Sequence, residues 1–244
     1  MDHTNDNTFG RHAASAFLLV VPVEAALIYD FESPTYTGGD VTINGQDGWT
    51  GGSATIITTI APDQLLRIGA NQTASHGVAG AGFGALSTVS FRTFITNNTS
   101  SYGEMQLFDS TNTKYAHIGI QNSTDHFYAV DNVGITNFDT NPVSGGNYYN
   151  VVVTLDFAAQ KYRTTYTHEI SAALHADTGF INFVAPTTTA LAEGGKINLL
   201  GGSAASRFAY FDNVSIVPEP NSAMLVAIGA FGLFVARRRK LKGK

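Results

Sequence analysis

The sequence predicts an all-β fold, an antiparallel β-sandwich, and three observations carry that expectation. Period-two alternation of apolar and polar residues recurs between Leu27 and Val217, broken by Gly, Asn, Asp and Ser. This is the pattern of strands with one buried face. Ten or more short candidate strands follow one another closely within residues 26–217, the rhythm of a sandwich or jelly roll. Charged side chains make up only 14% of the chain against 43% hydrophobic, too apolar for disorder and too poor in charge for long exposed helices or coiled coils.

In chain order, residues 56–60 and 65–68 are the first clear candidates. Next, Val89, Phe91, Thr93 and Ile95 share one face of a strand, with Ser90, Arg92 and Thr96 on the other. Residues 104–109, 115–121 and 126–130 follow. Tyr149, Val151, Val153, Leu155 and Phe157 repeat the alternation, and a short turn at 158–160 leads into a return strand carrying Tyr162, Thr164, Tyr166 and His168. At most one helical turn is expected, at 171–175, before strands at 181–184, 197–200 and 209–217. No internal repeat is visible.

Cysteine is absent, which excludes disulfides, thiolate nucleophiles and Cys-ligated zinc. Charge is distributed unevenly. Six of the fourteen Lys and Arg residues lie in the last eight positions, whereas residues 26–217 carry seven basic side chains against fifteen acidic ones, a net charge of -8. Such a body repels phosphate backbones and is not expected to bind nucleic acid.

The two ends read as address labels, dividing the chain into a leader (1–25), a sandwich domain (26–217) and a tail (218–244). The leader has a short apolar run from Ala13 to Ala26 behind Arg11, with small residues at Val23 and Ala25, the elements of a signal peptide cut near Ala26. Pro22 and Glu24 interrupt the run, and the alternative is a soluble leader. In the tail, Pro218-Glu219-Pro220 precedes fifteen weakly polar or apolar residues, 222–236, and then Arg237, Arg238, Arg239 and Lys240. As a helix that segment reaches roughly 22 Å, short of a ~30 Å hydrocarbon core. The basic cluster sets its orientation, tail inside and body outside. Charge and hydropathy alone also admit a tail anchor or an amphipathic surface helix.

The order Pro218-Glu219-Pro220, apolar helix, Arg237–Arg239 resembles the PEP-CTERM sorting signal of Gram-negative bacteria. The resemblance implies recognition by an exosortase, removal of the tail, and release or attachment of the body at the surface of a bacterium that makes exopolysaccharide. Until processing, the helix would hold the chain in the inner membrane. The prolines favour an extended motif, because each restricts the residue before it to β or polyproline conformations.

The body carries a second resemblance. Tyr29-Asp30-Phe31-Glu32-Ser33 near its start, Gln46-Asp47-Gly48-Trp49, and Tyr210 to Ile216 at its close are similar to the terminal strands of jelly-roll carbohydrate-binding modules and laminin-G/concanavalin-like sandwiches. The hairpin of residues 150–167 fits the second group. This resemblance implies paired terminal strands with a structural calcium between them, to which Glu32 and Asp212 would contribute carboxylate oxygens. Parity along the last strand turns Asp212 inward with Val214 and Ile216. An unpaired charge is costly there, so either a bulge turns it out or a cation neutralises it.

Catalytic signatures are weak. His168-Glu169 lacks a second His at zinc-helix spacing, and no G-x-S-x-G elbow or phosphate loop occurs. Asp30 and Glu32 could share a strand face, but nothing marks them as acid and nucleophile. The histidines at 76, 117, 126, 168 and 175 read as scattered surface imidazoles. For a sugar ligand the candidate is Trp49, the sole tryptophan, set between Gly48 and Gly51; the competing expectation puts it in the core beneath a loop. Tyr102, Tyr128 and Tyr148 lie beside turns. The expectation is therefore an exported, non-catalytic surface or matrix protein, with extracellular polysaccharide binding as the alternative and a secreted glycan-active enzyme behind it.

Overall fold

The computed structural model describes residues 27–218, apart from 54, 61–62, 80–85, 96–102, 122–124, 138, 140–141, 188–192 and 203–207. The leader and the tail helix lie outside the described residues, as do Glu219, Pro220 and Tyr102. Seventeen strands are described: β1 (Leu27–Tyr29), β2 (Val41–Thr42), β3 (Thr50–Gly51), β4 (Thr55–Ile60), β5 (Asp63–Ile68), β6 (Thr73–Ala79), β7 (Leu86–Ile95), β8 (Gly103–Phe108), β9 (Lys114–Gln121), β10 (His126–Val130), β11 (Ile135–Asn137), β12 (Asn147–Asp156), β13 (Lys161–His168), β14 (Leu174–Asp177), β15 (Ile181–Asn182), β16 (Glu193–Gly201) and β17 (Ala209–Pro218).

They form two antiparallel sheets. One has ten strands, in the order β14-β13-β12-β7-β17-β5-β4-β2, with β1 also on β17 and β15 also on β13. The other has seven, β11-β10-β9-β8-β16-β6-β3. The all-β sandwich expected from sequence is what forms. The alternation in β7 and β12 puts Val89, Phe91, Thr93, Ile95, Tyr149, Val151, Val153 and Leu155 into the interior, as their parity requires. From the facing sheet come Met105, Leu107, Ile118, Phe127, Ile197 and Leu199. Phe127 stacks on Tyr166 at 3.5 Å between centroids, joining the layers. Each such buried side chain contributes about 1.5–3 kcal/mol of transfer free energy.

One segment departs from expectation. The helical turn at 171–175 is absent: residues 169–171 form a turn, and β14 begins at Leu174. Pairing of Ala176 with Tyr166 on β13 outweighs the helix preference of an Ala-containing stretch.

The terminal strands pair as expected, Leu27 opposite Ile216 and Tyr29 opposite Val214. Residues 27 and 218 therefore leave the sandwich side by side at one end. The opposite end of the ten-stranded sheet holds Ile95, Asn147, His168, Ile68 and Ala209, by the registers of β7, β12, β13, β5 and β17.

Candidate functional site

Parity on β7 sends Ser90, Arg92 and Phe94 outward from the ten-stranded sheet, and the register places them among matching outward residues. Tyr148 on β12 lies opposite Phe94, their rings 4.6 Å apart. Tyr210 on β17 meets Phe94 edge-on at 5.9 Å, and Phe208 follows at 6.5 Å from Tyr210. The result is a strip of four aromatic rings across three strands and the segment entering β17. Phe208 is the most open, 38% exposed; Phe94 and Tyr148 are half-buried, and Tyr210 is buried between its neighbours.

An arginine clamps each end of the strip. The Arg92 guanidinium lies 3.7 Å from the Tyr148 ring centroid, and that of Arg67 lies 4.9 Å from Phe208. Arg92 donates from Nη1 to Asp63 (2.7 Å) and Asp212 (3.0 Å), and from Nε to Glu169 (3.1 Å). Arg67 approaches Asp40 at 3.9 Å. Burial alone would lower the Arg92 guanidinium, but its three carboxylates outweigh that and hold it above its ordinary range. Asp212 goes the other way. Burial and the charge of Asp63 push its carboxyl up to about 6, and Arg92, shared with two other acids, pulls it back only in part. Burial raises the Tyr148 and Tyr210 hydroxyls.

Asp212 resolves the parity problem by both routes. The register slips between Asp212 and Ser215, and Asn213 takes a left-handed φ of 49°, a β-bulge that turns Asp212 out while Phe211 and Val214 both stay in the core. The neutralising cation is Arg92. The Asp212 oxygens also accept from the Asn213 backbone N–H (2.8 Å) and side-chain amide (3.2 Å). Glu32 is engaged elsewhere: its Oε1 accepts the Gln64 N–H at 2.8 Å, and its own N–H donates to Asp30. Glu32 and Asp212 thus each accept from separate nitrogen donors. Among the described residues no group of three or more His, Asp or Glu is placed to hold a metal.

Trp49 is not an exposed ligand face. It is fully buried, with Tyr29 at 5.4 Å, His76 at 5.1 Å and Phe31 at 5.6 Å around its ring. The turn at Asp47 (φ 46°) and Gly48 (φ 78°) drops the indole beneath the loop. A shallow groove of about 600 Å³ lies nearby, lined by Tyr29, Asp47 and His76 but not by Trp49.

The histidines are less scattered than the sequence suggests. His126 on β10 and His175 on β14 both contact the carboxylate of Asp139, whose other partner is the Phe127 N–H at 2.9 Å. This group ties the two sheets together at their shared edge. On the outer face of the seven-stranded sheet, His117 meets Glu104 at 3.0 Å and Tyr128 at 3.2 Å. Burial would raise the Glu104 carboxyl, but His117, Tyr128 and Lys114 together hold it below the usual range. Tyr128 itself is buried, so of the two described tyrosines noted beside turns, Tyr148 is the one placed on an open face.

Comparison with known proteins adds two findings. The family described as the PEP-CTERM protein-sorting motif matches residues 217–240. The tail is a PEP-CTERM sorting motif. It spans Pro218, Glu219, Pro220 and Arg237 to Arg239 and marks an exported protein sorted to the cell envelope. No curated protein matches the chain in sequence. Among solved structures, the body resembles a sialidase (TM-score 0.57, 12% identity, 82% of this chain but 19% of that one). It also resembles the metal-free lectin I-B4 of Griffonia simplicifolia (0.52, 10%, 79% and 98%) and peanut lectin (0.51, 14%, 79% and 96%). The chain spans about a fifth of the sialidase, and at these identities the likeness is one of fold, a lectin-like sandwich.

Proposed function

We propose that this chain is a non-catalytic cell-surface or extracellular-matrix protein of an exopolysaccharide-producing Gram-negative bacterium. The leader exports it, the tail helix stalls it in the inner membrane, and an exosortase removes that helix. The observation that carries this reading is the sorting motif at 217–240, which begins inside β17. The folded body thus runs into the motif without a spacer. The test is to follow the mass of the protein in cells with and without the exosortase gene. Loss of the tail only when the gene is present supports the reading, and an intact tail in both overturns it.

A second reading, binding of an extracellular polysaccharide, is favoured by the fold shared with lectins over nearly their whole length and by the aromatic strip. A glycan-active enzyme has less support. Its one link is a fold shared with a fifth of a sialidase, and the acids on the ten-stranded sheet are tied to arginines rather than poised across an open cleft. Binding of purified protein to a glycan array tests the second reading; uniform silence removes it.

A further inference from the structure

We propose that the strip Tyr148–Phe94–Tyr210–Phe208 on the outer face of the ten-stranded sheet is the polysaccharide-binding surface, and that its ligand is an extended, uncharged glycan chain. The inference rests on the second reading above and names its site and ligand class.

Three observations lead there. The first is position. Residues 27 and 218 leave at one end of the sheet, and the strip crosses the other, where Ile95, Asn147 and Ala209 lie. A body held by its tail would present this end outward. The second is preorganisation. Arg92 on Tyr148 and Arg67 on Phe208 fix the outer rings of the strip, and Arg92 is in turn locked by Asp63, Asp212 and Glu169. Rings already fixed lose little freedom on binding, and their faces suit the C–H faces of pyranose rings.

The third is charge. Among the described residues the strip is bordered by Asp40, Asp63, Glu169 and Asp212 against Arg67 and Arg92, a net charge of -2. Most of the Arg92 donors are already spent on these acids. A polyanion meets repulsion here, and an apolar partner would strip water from Asp63 and Glu169 without replacing it. Hydroxyl groups replace it, because carboxylate oxygens accept more hydrogen bonds than the arginines supply. The rings are spread over three strands and Phe208, so the fitting ligand is a chain laid across the sheet rather than a single sugar.

The test is affinity electrophoresis of the full-length protein in mild detergent, through native gels containing hydroxyethyl cellulose, dextran or alginate. The variants are Phe208→Ala and Tyr148→Ala, with thermal unfolding confirming that each is folded. The expected result is retardation by at least one neutral polymer, none by alginate, and an apparent dissociation constant at least fivefold weaker in each folded variant. Because Phe208 is exposed, its variant serves even if Tyr148→Ala does not fold. Neutral retardation unchanged in the folded variants overturns this face as the site while leaving glycan binding standing. A wild-type protein retarded by no neutral polymer removes glycan binding as well. Retardation by alginate alone overturns the uncharged ligand. Variant-dependent self-association in sedimentation, without retardation, assigns the face to a second copy instead.

Discussion

The outer faces of the two sheets are built from similar strands and finished in opposite ways. Across the seven-stranded sheet, Thr50, Ser75, Asn198, Gln106 and His117 stand in one register row on five neighbouring strands. Ser75 donates to the Asn198 side chain at 2.8 Å. Beside the row, Tyr128 lies across Gly119 toward Glu104 and His117. This surface spends its polar groups on one another. The ten-stranded sheet instead carries the four-ring strip with carboxylates collected around two arginines. The first arrangement finishes a sheet for water, whereas the second leaves ring faces and acceptor oxygens side by side. The proposed ligand face rests on this contrast and not on the fold alone.

The strongest way to break the contrast is to remove the cation that organises the charged face. Arg92→Met leaves Asp63, Asp212 and Glu169 facing one another without compensation, and is expected to cost about 3 kcal/mol in urea unfolding. A cost under 1 kcal/mol would mean the acids are solvated and organise nothing. On the other face, Gly119→Ala puts a methyl 3.0 Å from Tyr128 Cε1, Glu104 Cγ and the Gly103 carbonyl oxygen. About 1–3 kcal/mol of destabilisation is expected, with Tyr128 displaced from His117. An unchanged melting temperature would show that the ring does not rest on that glycine.

A third measurement sharpens the comparison through pH. The Asp212 carboxyl sits at about 6 in the folded protein, above its ordinary 3.8, so between pH 4 and 6 the folded state holds the proton more tightly than the unfolded chain. Its contribution to stability therefore falls as pH rises through that window and is level above it. Asp212→Asn is expected to gain on the wild type by on the order of 2–3 kcal/mol from pH 4 to pH 7, at about 1.4 kcal/mol per unit. Glu104 on the other face works in the reverse direction, its depressed value costing stability as pH falls. A difference between Asp212→Asn and wild type that does not change with pH refutes the assignment.

The fold was legible wherever alternation was strong. In β7, β12 and β13, β-branched and aromatic residues repeat at period two, and a strand buried on one face is the economical reading. By contrast, β6 (TASHGVA) is mostly small residues, with one histidine and a glycine, and is a strand because β16 and β3 flank it; β14 owes its state to β13 in the same way. The sorting tail was legible because its parts are contiguous. The site was half-legible. Phe94-Ile95, Tyr148-Tyr149 and Tyr210-Phe211 each place two large apolar residues in succession on a strand, and period two forces one of each outward. That the three outward rings meet depends on pairing between residues more than fifty positions apart, which local pattern does not encode. Trp49 follows the second of its two expectations: the flanking glycines mark a loop, and the turn folds the indole inward beneath it. Asp139 likewise joins His126 to His175 only once the two sheet edges are stacked.

The smallest expected effect tests whether the strip is a surface or a lid. Phe208 is 38% exposed, touches Tyr210 loosely at 6.5 Å, and has Arg67 at 4.9 Å from its centroid. Its removal exposes part of one ring and one cation–π contact, together about 0.5–1 kcal/mol at an exposed position. Phe208→Ala is therefore expected to unfold within about 1 kcal/mol of wild type, well below the cost of Arg92→Met. A loss of 3 kcal/mol or more would mean that Phe208 seals core beneath it. The ten-stranded sheet would then be finished for packing, its aromatics explained by stability alone, and the difference between the two faces would cease to point to a ligand.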